Sequence, residues 1–227
     1  MFHGKSFFHF LIAVGTAFGA DVSLAGKLVR AGTVARGVVE DIKYATTGNF
    51  TGKDLYGDFD QCWLLPEAAA MLARAKKELG RRDPDLTFVL YDCARPVEVQ
   101  KVMWDVVKDT DKKIYVADPA KGSVHNYGCA VDLGLARIKG NTREVLEMGT
   151  GFDHFGVEAH TNDEAQMLLD GKLSREAYLN RMKLRNAMVS AGFYQLPHEW
   201  WHFDCMKLDE LKSRHKPVNS LSDLRGI

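Results

Sequence analysis

The sequence predicts an α+β fold in which a small antiparallel sheet packs on helices. Three observations carry this. Long helical patterns occupy residues 66–79 and 174–190, while short apolar runs at 86–91 and 130–135 read as buried strands. Helices and strands do not alternate as regular βαβ units, which argues against a parallel doubly wound sheet. No internal repeat or low-complexity linker interrupts the chain, so residues 26–227 read as one domain. At 227 residues, 46% hydrophobic and 26% charged, the chain is long enough to bury a sizeable core.

The elements follow in order. Lys5 is the one basic residue before an uncharged, mostly apolar stretch at residues 6–20. That stretch is shorter than the roughly 20 residues a membrane span needs, and small residues follow it, so residues 1–25 read as a secretory signal peptide. Small-x-small patterns allow cleavage after Gly19 or Ala25. The expectation is a periplasmic or secreted protein with no stable membrane insertion once the signal is removed. A buried or amphipathic N-terminal helix is the alternative and would leave the protein cytoplasmic.

Residues 41–47 read as a short strand entering a Gly/Asn-rich loop at 48–57. Pro66 suits a first helical turn and Gly80 a stop, which bounds the first long helix. After the 86–91 strand, Arg95-Pro96 opens a second helix running to about Val107. The 130–135 strand and the 174–190 helix come next. Trp200-Trp201-His202-Phe203, after Pro197, is aromatic and strand-like.

Charge and cysteine content exclude several classes. Lys+Arg and Asp+Glu are 30 each, so a strongly basic nucleic-acid binder is excluded: phosphate neutralisation needs surplus positive charge. Cys62, Cys93, Cys129 and Cys205 show no CxxC spacing. If the protein is exported they can oxidise in three pairings, among which the sequence does not choose; buried free thiols are an equal alternative.

Two constellations carry chemistry. The first is Ser123-Val124-His125-Asn126-Tyr127-Gly128-Cys129-Ala130-Val131-Asp132, an SxHxxGxAxD pattern. On one straight strand His125 and Asp132 would stand roughly 23 Å apart on opposite faces. They can share one ion only if the chain reverses, and Asn126-Tyr127-Gly128 supplies turn residues. Taken alone, a loop His and a solvated strand-end Asp would explain them as well. The second is His198-Glu199-Trp200-Trp201-His202, a literal HExxH. A helix would bring both histidines to one metal. Pro197 and the β-favouring aromatics oppose a helix here.

On an extended segment His202 ligates alone, Glu199 bends toward the metal, and His198 is incidental. His125, Asp132 and His202 then form three ligands with a fourth position open, as in catalytic zinc sites. One zinc ion per chain would activate a water molecule, Glu199 would act as general base, and Arg95, at a strand-to-helix corner, would stabilise oxyanion charge.

These motifs together resemble the zinc D-alanyl-D-alanine dipeptidases of the VanX type, within a larger group of peptidoglycan peptidases sharing the ligand set. Further matches are Lys43-Tyr44-Ala45-Thr46, Asn49-Phe50-Thr51-Gly52, Arg95-Pro96 and Met148-Gly149-Thr150-Gly151-Phe152-Asp153, so the resemblance spans roughly residues 40–205. It implies that His125, Asp132 and His202 are the zinc ligands, Glu199 the base and Arg95 the oxyanion-stabilising group. It also implies dipeptide-binding roles for Tyr44, Ser123 and Asp153, and D-Ala-D-Ala as substrate. The sequence departs from the family at Cys93-Ala94, where an aromatic or Gly-Tyr pair is usual, which trims bulk beside the site. A D,D-carboxypeptidase or L-alanyl-D-glutamate endopeptidase acting on longer wall peptides is the alternative within the same chemistry. A non-catalytic zinc-binding domain is an alternative of another class.

Overall fold

A computed structural model describes residues 28–225, so the expected signal peptide at 1–25 lies outside the described residues. The strands are β1 (Val29–Arg30), β2 (Val39–Glu40), β3 (Trp63–Leu64), β4 (Leu86–Asp92), β5 (Ala130–Lys139), β6 (Thr142–Val145), β7 (Tyr194–Gln195) and β8 (His202–Asp204). The helices are α1 (Ala31–Val34), α2 (Pro66–Arg82), α3 (Val97–Val107), α4 (Glu164–Leu169), α5 (Arg175–Ser190), α6 (Leu208–Arg214) and α7 (Leu221–Arg225). The main sheet runs β2-β4-β5-β8-β7, with β6 also paired to β5. A small ribbon joins β1 to β3.

The fold is α+β, as the sequence predicts, and every pair in the main sheet is antiparallel except β2–β4. That parallel pair is possible because the long return from β2 to β4 contains α2, the crossover that parallel neighbours require. β4 is buried along its whole length, and so are the first seven residues of β5. These two central strands explain the continuous apolar runs at 86–91 and 130–135. α2 lays Ala68, Ala69, Leu72, Ala75 and Leu79 into the core, a helical stripe spaced three and four residues apart. Burying five such side chains supplies the tertiary packing that holds α2 against the sheet.

Three local expectations are corrected. The segment at 41–47 is not a strand: pairing stops at Glu40, and Lys43–Ala45 forms a 3-10 turn that buries Tyr44. Asn49 fixes that turn by donating from Nδ2 to the carbonyls of Lys43, Thr46 and Lys53. Gly80 does not stop α2, which continues to Arg82; Arg81 and Arg82 both pair with Glu78 across the final turn. The last strand is displaced to His202–Asp204, because it is Asp132 of β5 that stands opposite His202. Strand β6 was not legible, since all four of its residues are exposed and carry no apolar alternation.

The cysteines select one of their three pairings. Cys62 bonds Cys93 and Cys129 bonds Cys205, each pair with Cα atoms 5.2 Å apart, which replaces the free-thiol alternative.

Candidate active site

The site is built at the junction of β5, β8 and the turn preceding β5. Asp132 and His202 are paired across the β5–β8 ladder. Directly opposite residues of antiparallel strands put their side chains on the same face, so pairing alone makes these two groups neighbours. His125 reaches them from a 3-10 turn at Val124–Tyr127, capped by Ser123 Oγ, which accepts from the His125 amide. The chain reverses at Gly128, whose φ is +63°; a Cβ there would come within 2.8 Å of Leu28 and 3.3 Å of the Leu65 amide nitrogen. Only glycine combines that left-handed backbone with so close an approach. The reversal removes the separation a straight strand would impose between His125 and Asp132.

Three ligand atoms converge there. His125 Nε2 lies 3.2 Å from His202 Nδ1 and 3.4 Å from Asp132 Oδ1, and His202 Nδ1 lies 3.0 Å from Asp132 Oδ1. All three residues are buried. Tetrahedral donors bonded at about 2.0–2.2 Å would stand roughly 3.3–3.6 Å apart, so the spacing suits a small divalent cation. Each imidazole also gives its outward nitrogen to an acceptor: His125 Nδ1 to the Cys93 carbonyl at 2.7 Å, His202 Nε2 to the Asp204 carboxylate at 2.8 Å. In the tautomers where those acceptors take the ring N–H, the inward nitrogens present lone pairs. Two inward lone pairs and a carboxylate at these distances fit a metal ion. Among the described residues, His125, Asp132 and His202 form the His/Asp group able to hold one.

Glu199 is buried beside this group, its Oε2 3.8 Å from His202 Nδ1. Burial pushes its carboxyl up to about 8; His202 and Arg95 pull it down, while Asp132 and Asp153 add to the rise. Arg95 stands at the β4-to-α3 corner. Its Nε donates to Asp92 at 2.7 Å, Nη1 to Gln100 at 3.0 Å and Nη2 to Asp132 at 3.4 Å. Burial opposes the guanidinium charge, but Asp92 and its neighbours more than restore it and raise its pKa. Asp92 is itself fully buried and accepts from Tyr56 Oη at 2.8 Å.

The remaining residues singled out in the sequence line the same cavity of about 240 Å³, which contains Tyr44, Ser123 and Asp153 beside Arg95, His125, Asp132, Glu199 and His202. Tyr44 Oη donates to both Asp153 oxygens at 3.0 and 3.1 Å, and the Phe50 amide donates to Oδ2 at 3.2 Å. Burial, the largest influence, pushes Asp153 up to about 7. Asp153 is also the one non-glycine residue with positive φ, +61°, among the described residues. A strained backbone under a buried carboxylate is a feature found at ligand-binding positions.

The sequence profile of the D-Ala-D-Ala dipeptidase family matches residues 25–220. The chain belongs to this family. The dipeptidase family is a family of metallopeptidases, in keeping with the His/Asp/His group. The chain is 34% identical to the D-alanyl-D-alanine dipeptidase of Escherichia coli strain K12 over 164 residues, 72% of this chain and 77% of that protein. It is 30% identical to the D-alanyl-D-alanine dipeptidase of Enterococcus faecium over 186 residues, 75% of this chain and 87% of that protein. With that of Enterococcus faecalis it shares 29% over 182 residues, 74% of this chain and 85% of that protein.

Within this dipeptidase-family member, His198 stays outside the cavity. It lies in a turn, its ring packs 5.0 Å from that of His160, and it does not join the converging ligand atoms. Sequence reading missed Asp92, Gln100, Tyr56 and Asp204. Asp92 left a signal: a charged residue ending an apolar strand, three positions before Arg95. Asp204 left only its position two residues after His202, and the partners of Gln100 and Tyr56 are visible only in the fold.

Proposed function

We propose that this chain is a zinc-dependent dipeptidase that hydrolyses D-Ala-D-Ala to two molecules of D-alanine. The observation that carries the reading is the convergence of the buried side chains His125, Asp132 and His202 in one cavity with Glu199 and Arg95. His125, Asp132 and His202 would hold the zinc ion. When bound, the ion supplies Lewis-acid activation of the scissile carbonyl and of the attacking water.

The protein groups do the rest. Glu199 takes a proton from the attacking water and returns it to the leaving amine, so its two proton transfers cancel. A carboxyl whose burial brings it near neutrality suits both directions of transfer. Arg95 presents guanidinium N–H groups to the oxyanion, and Asp92 and Gln100 hold that fork so that little reorganisation is needed. Asp153, oriented by Tyr44 Oη, receives the substrate ammonium. Ser123, whose Oγ accepts from the His125 amide, keeps its O–H free to donate to the substrate carboxylate. A cavity that pairs both charged ends selects against longer peptides, which would leave one buried charge unpaired.

The place of action that fits is the periplasm or cell exterior, following a signal peptide at residues 1–25. Two buried disulfides support this, since such bridges persist in oxidising compartments. None of the described helices is long and apolar enough to cross a membrane.

The test is hydrolysis by residues 26–227 loaded with zinc, offered D-Ala-D-Ala, L-Ala-L-Ala and a pentapeptide ending in D-Ala-D-Ala. Turnover of the D,D-dipeptide alone, abolished by Glu199→Ala, is the expected result. Cleavage of the pentapeptide would move the activity to longer wall peptides. No turnover despite stoichiometric zinc would overturn the reading in favour of a binding domain.

A further inference from the structure

Each imidazole of the cradle is supported from outside by an acceptor that belongs to, or adjoins, a disulfide cysteine. His125 donates from Nδ1 to the carbonyl of Cys93, which is bonded to Cys62 beside β3. His202 donates from Nε2 to Asp204, and the next residue, Cys205, is bonded to Cys129. Cys129 lies between His125 and Asp132 in the chain, so this second bridge ties both ligand-bearing segments together across 76 residues. The Cys205 amide also donates to the Cys129 carbonyl at 2.7 Å.

The Cys93 carbonyl follows directly on the seven-residue β4, but its disulfide partner and the Asp204 support sit on short strands. β8 has three residues and β7 two, and β3 has two. Strands of that length have few ladder bonds to resist local opening. A covalent bond at each end therefore adds a restraint, independent of the ladder bonds, on where the Cys93 carbonyl and the Asp204 carboxylate stand. Acceptors of this kind fix the tautomer and ring orientation of metal-binding histidines, and their loss typically costs 10–100-fold in metal affinity.

We propose that the two disulfides fasten the metal cradle: they lock the supports that turn both imidazoles inward, so that metal retention depends on the oxidised state of the protein, with Asp204 as the positioning residue for His202. The proposal rests on the zinc reading of the site. Reduction by a dithiol breaks one S–S bond, places one electron and one proton on each cysteine sulfur, and closes the reductant to its own disulfide. The cradle would then open from its outer side while its three ligands remain in the chain.

The experiment measures zinc affinity by competition with a chromogenic chelator for the parent, Cys62→Ala/Cys93→Ala, Cys129→Ala/Cys205→Ala, Asp204→Asn and Asp204→Glu. Near-ultraviolet circular dichroism verifies that each is folded at the assay temperature. The expected result is a 10–100-fold weaker affinity for both double variants and for Asp204→Asn, with partial rescue in Asp204→Glu. Folded double variants that bind zinc within twofold of the parent would overturn the proposal and leave the bridges with a purely stabilising role. Should a double variant fail to fold, the parent is reduced with dithiothreitol, desalted without oxygen and titrated in the same way; unchanged affinity with the bridges open refutes the proposal equally. A parent that takes up no zinc is a separate result, and it overturns the metal reading itself.

Discussion

Replacing Asp153 with Asn tests whether this residue is kept for binding at the expense of stability. Burial raises its carboxyl to about 7, against an ordinary value near 4. About three pKa units at 1.36 kcal/mol each is about 4 kcal/mol, an upper figure for the cost of holding the ionised form in the fold. The sign follows from proton counting. Between pH 4 and 7 the folded protein holds a proton on Asp153 that the unfolded chain has released, so the Asp153 contribution to stability is greatest below about pH 4, falls as pH rises to 7, and is level beyond.

Asparagine keeps the shape, tolerates the +61° backbone and still offers an oxygen to the Phe50 amide. Asp153→Asn should therefore match the parent near pH 4 and exceed it by up to about 4 kcal/mol at pH 8, measured by denaturant unfolding of metal-free protein. Turnover should move the other way. An ammonium left without its buried partner loses about 3–5 kcal/mol, so kcat/KM for D-Ala-D-Ala should drop by about 10²–10³ or more. A variant less stable than the parent at pH 8, or one that cleaves the dipeptide within a few-fold of it, would refute the reasoning.

Three further outcomes are expected. Glu199→Gln should lower kcat by about 10²–10⁴ while zinc stoichiometry, read by atomic absorption, stays at the parent value. Arg95→Lys cannot reproduce the three-way fork to Asp92, Gln100 and Asp132; steady-state kinetics should show kcat/KM reduced by about 10²–10³, and thermal melting should fall as well. His198→Ala should keep its zinc and remain within a few-fold of parent activity, because His198 lies outside the converging ligand group. Zinc loss in that variant would restore the helical HExxH reading.

The elements that could be read in the sequence are those whose burial leaves a local pattern. β4 and the first seven residues of β5 are buried on both faces and so appear as apolar runs. α2 and α5 are long enough for residue spacing and capping to declare them, and Ser174 does cap α5 by accepting from the Ala177 amide. The turn at Lys43–Ala45 leaves no such local pattern, because its conformation is imposed by Tyr44 entering the core, where tertiary burial overrides a β-like local composition. The exposed β6 hairpin offered no hydrophobic period to detect.

The candidate site divides in the same way. By itself the sequence determined which residue types could meet: a His and an Asp separated by a turn-forming Gly, a second His after a Glu, and an Arg at a Pro-initiated helix. Those are properties of neighbours along the chain, set by turn chemistry and ligand preference. The tertiary structure alone decided that Asp132 stands opposite His202, that Asp92 and Gln100 grip Arg95, that Asp204 takes the outer nitrogen of His202, and which cysteines bond. Each of these depends on strand register, on burial, or on segments 31 and 76 residues apart meeting in space. Such contacts are settled by the packing of the whole core, which no local pattern of residues encodes.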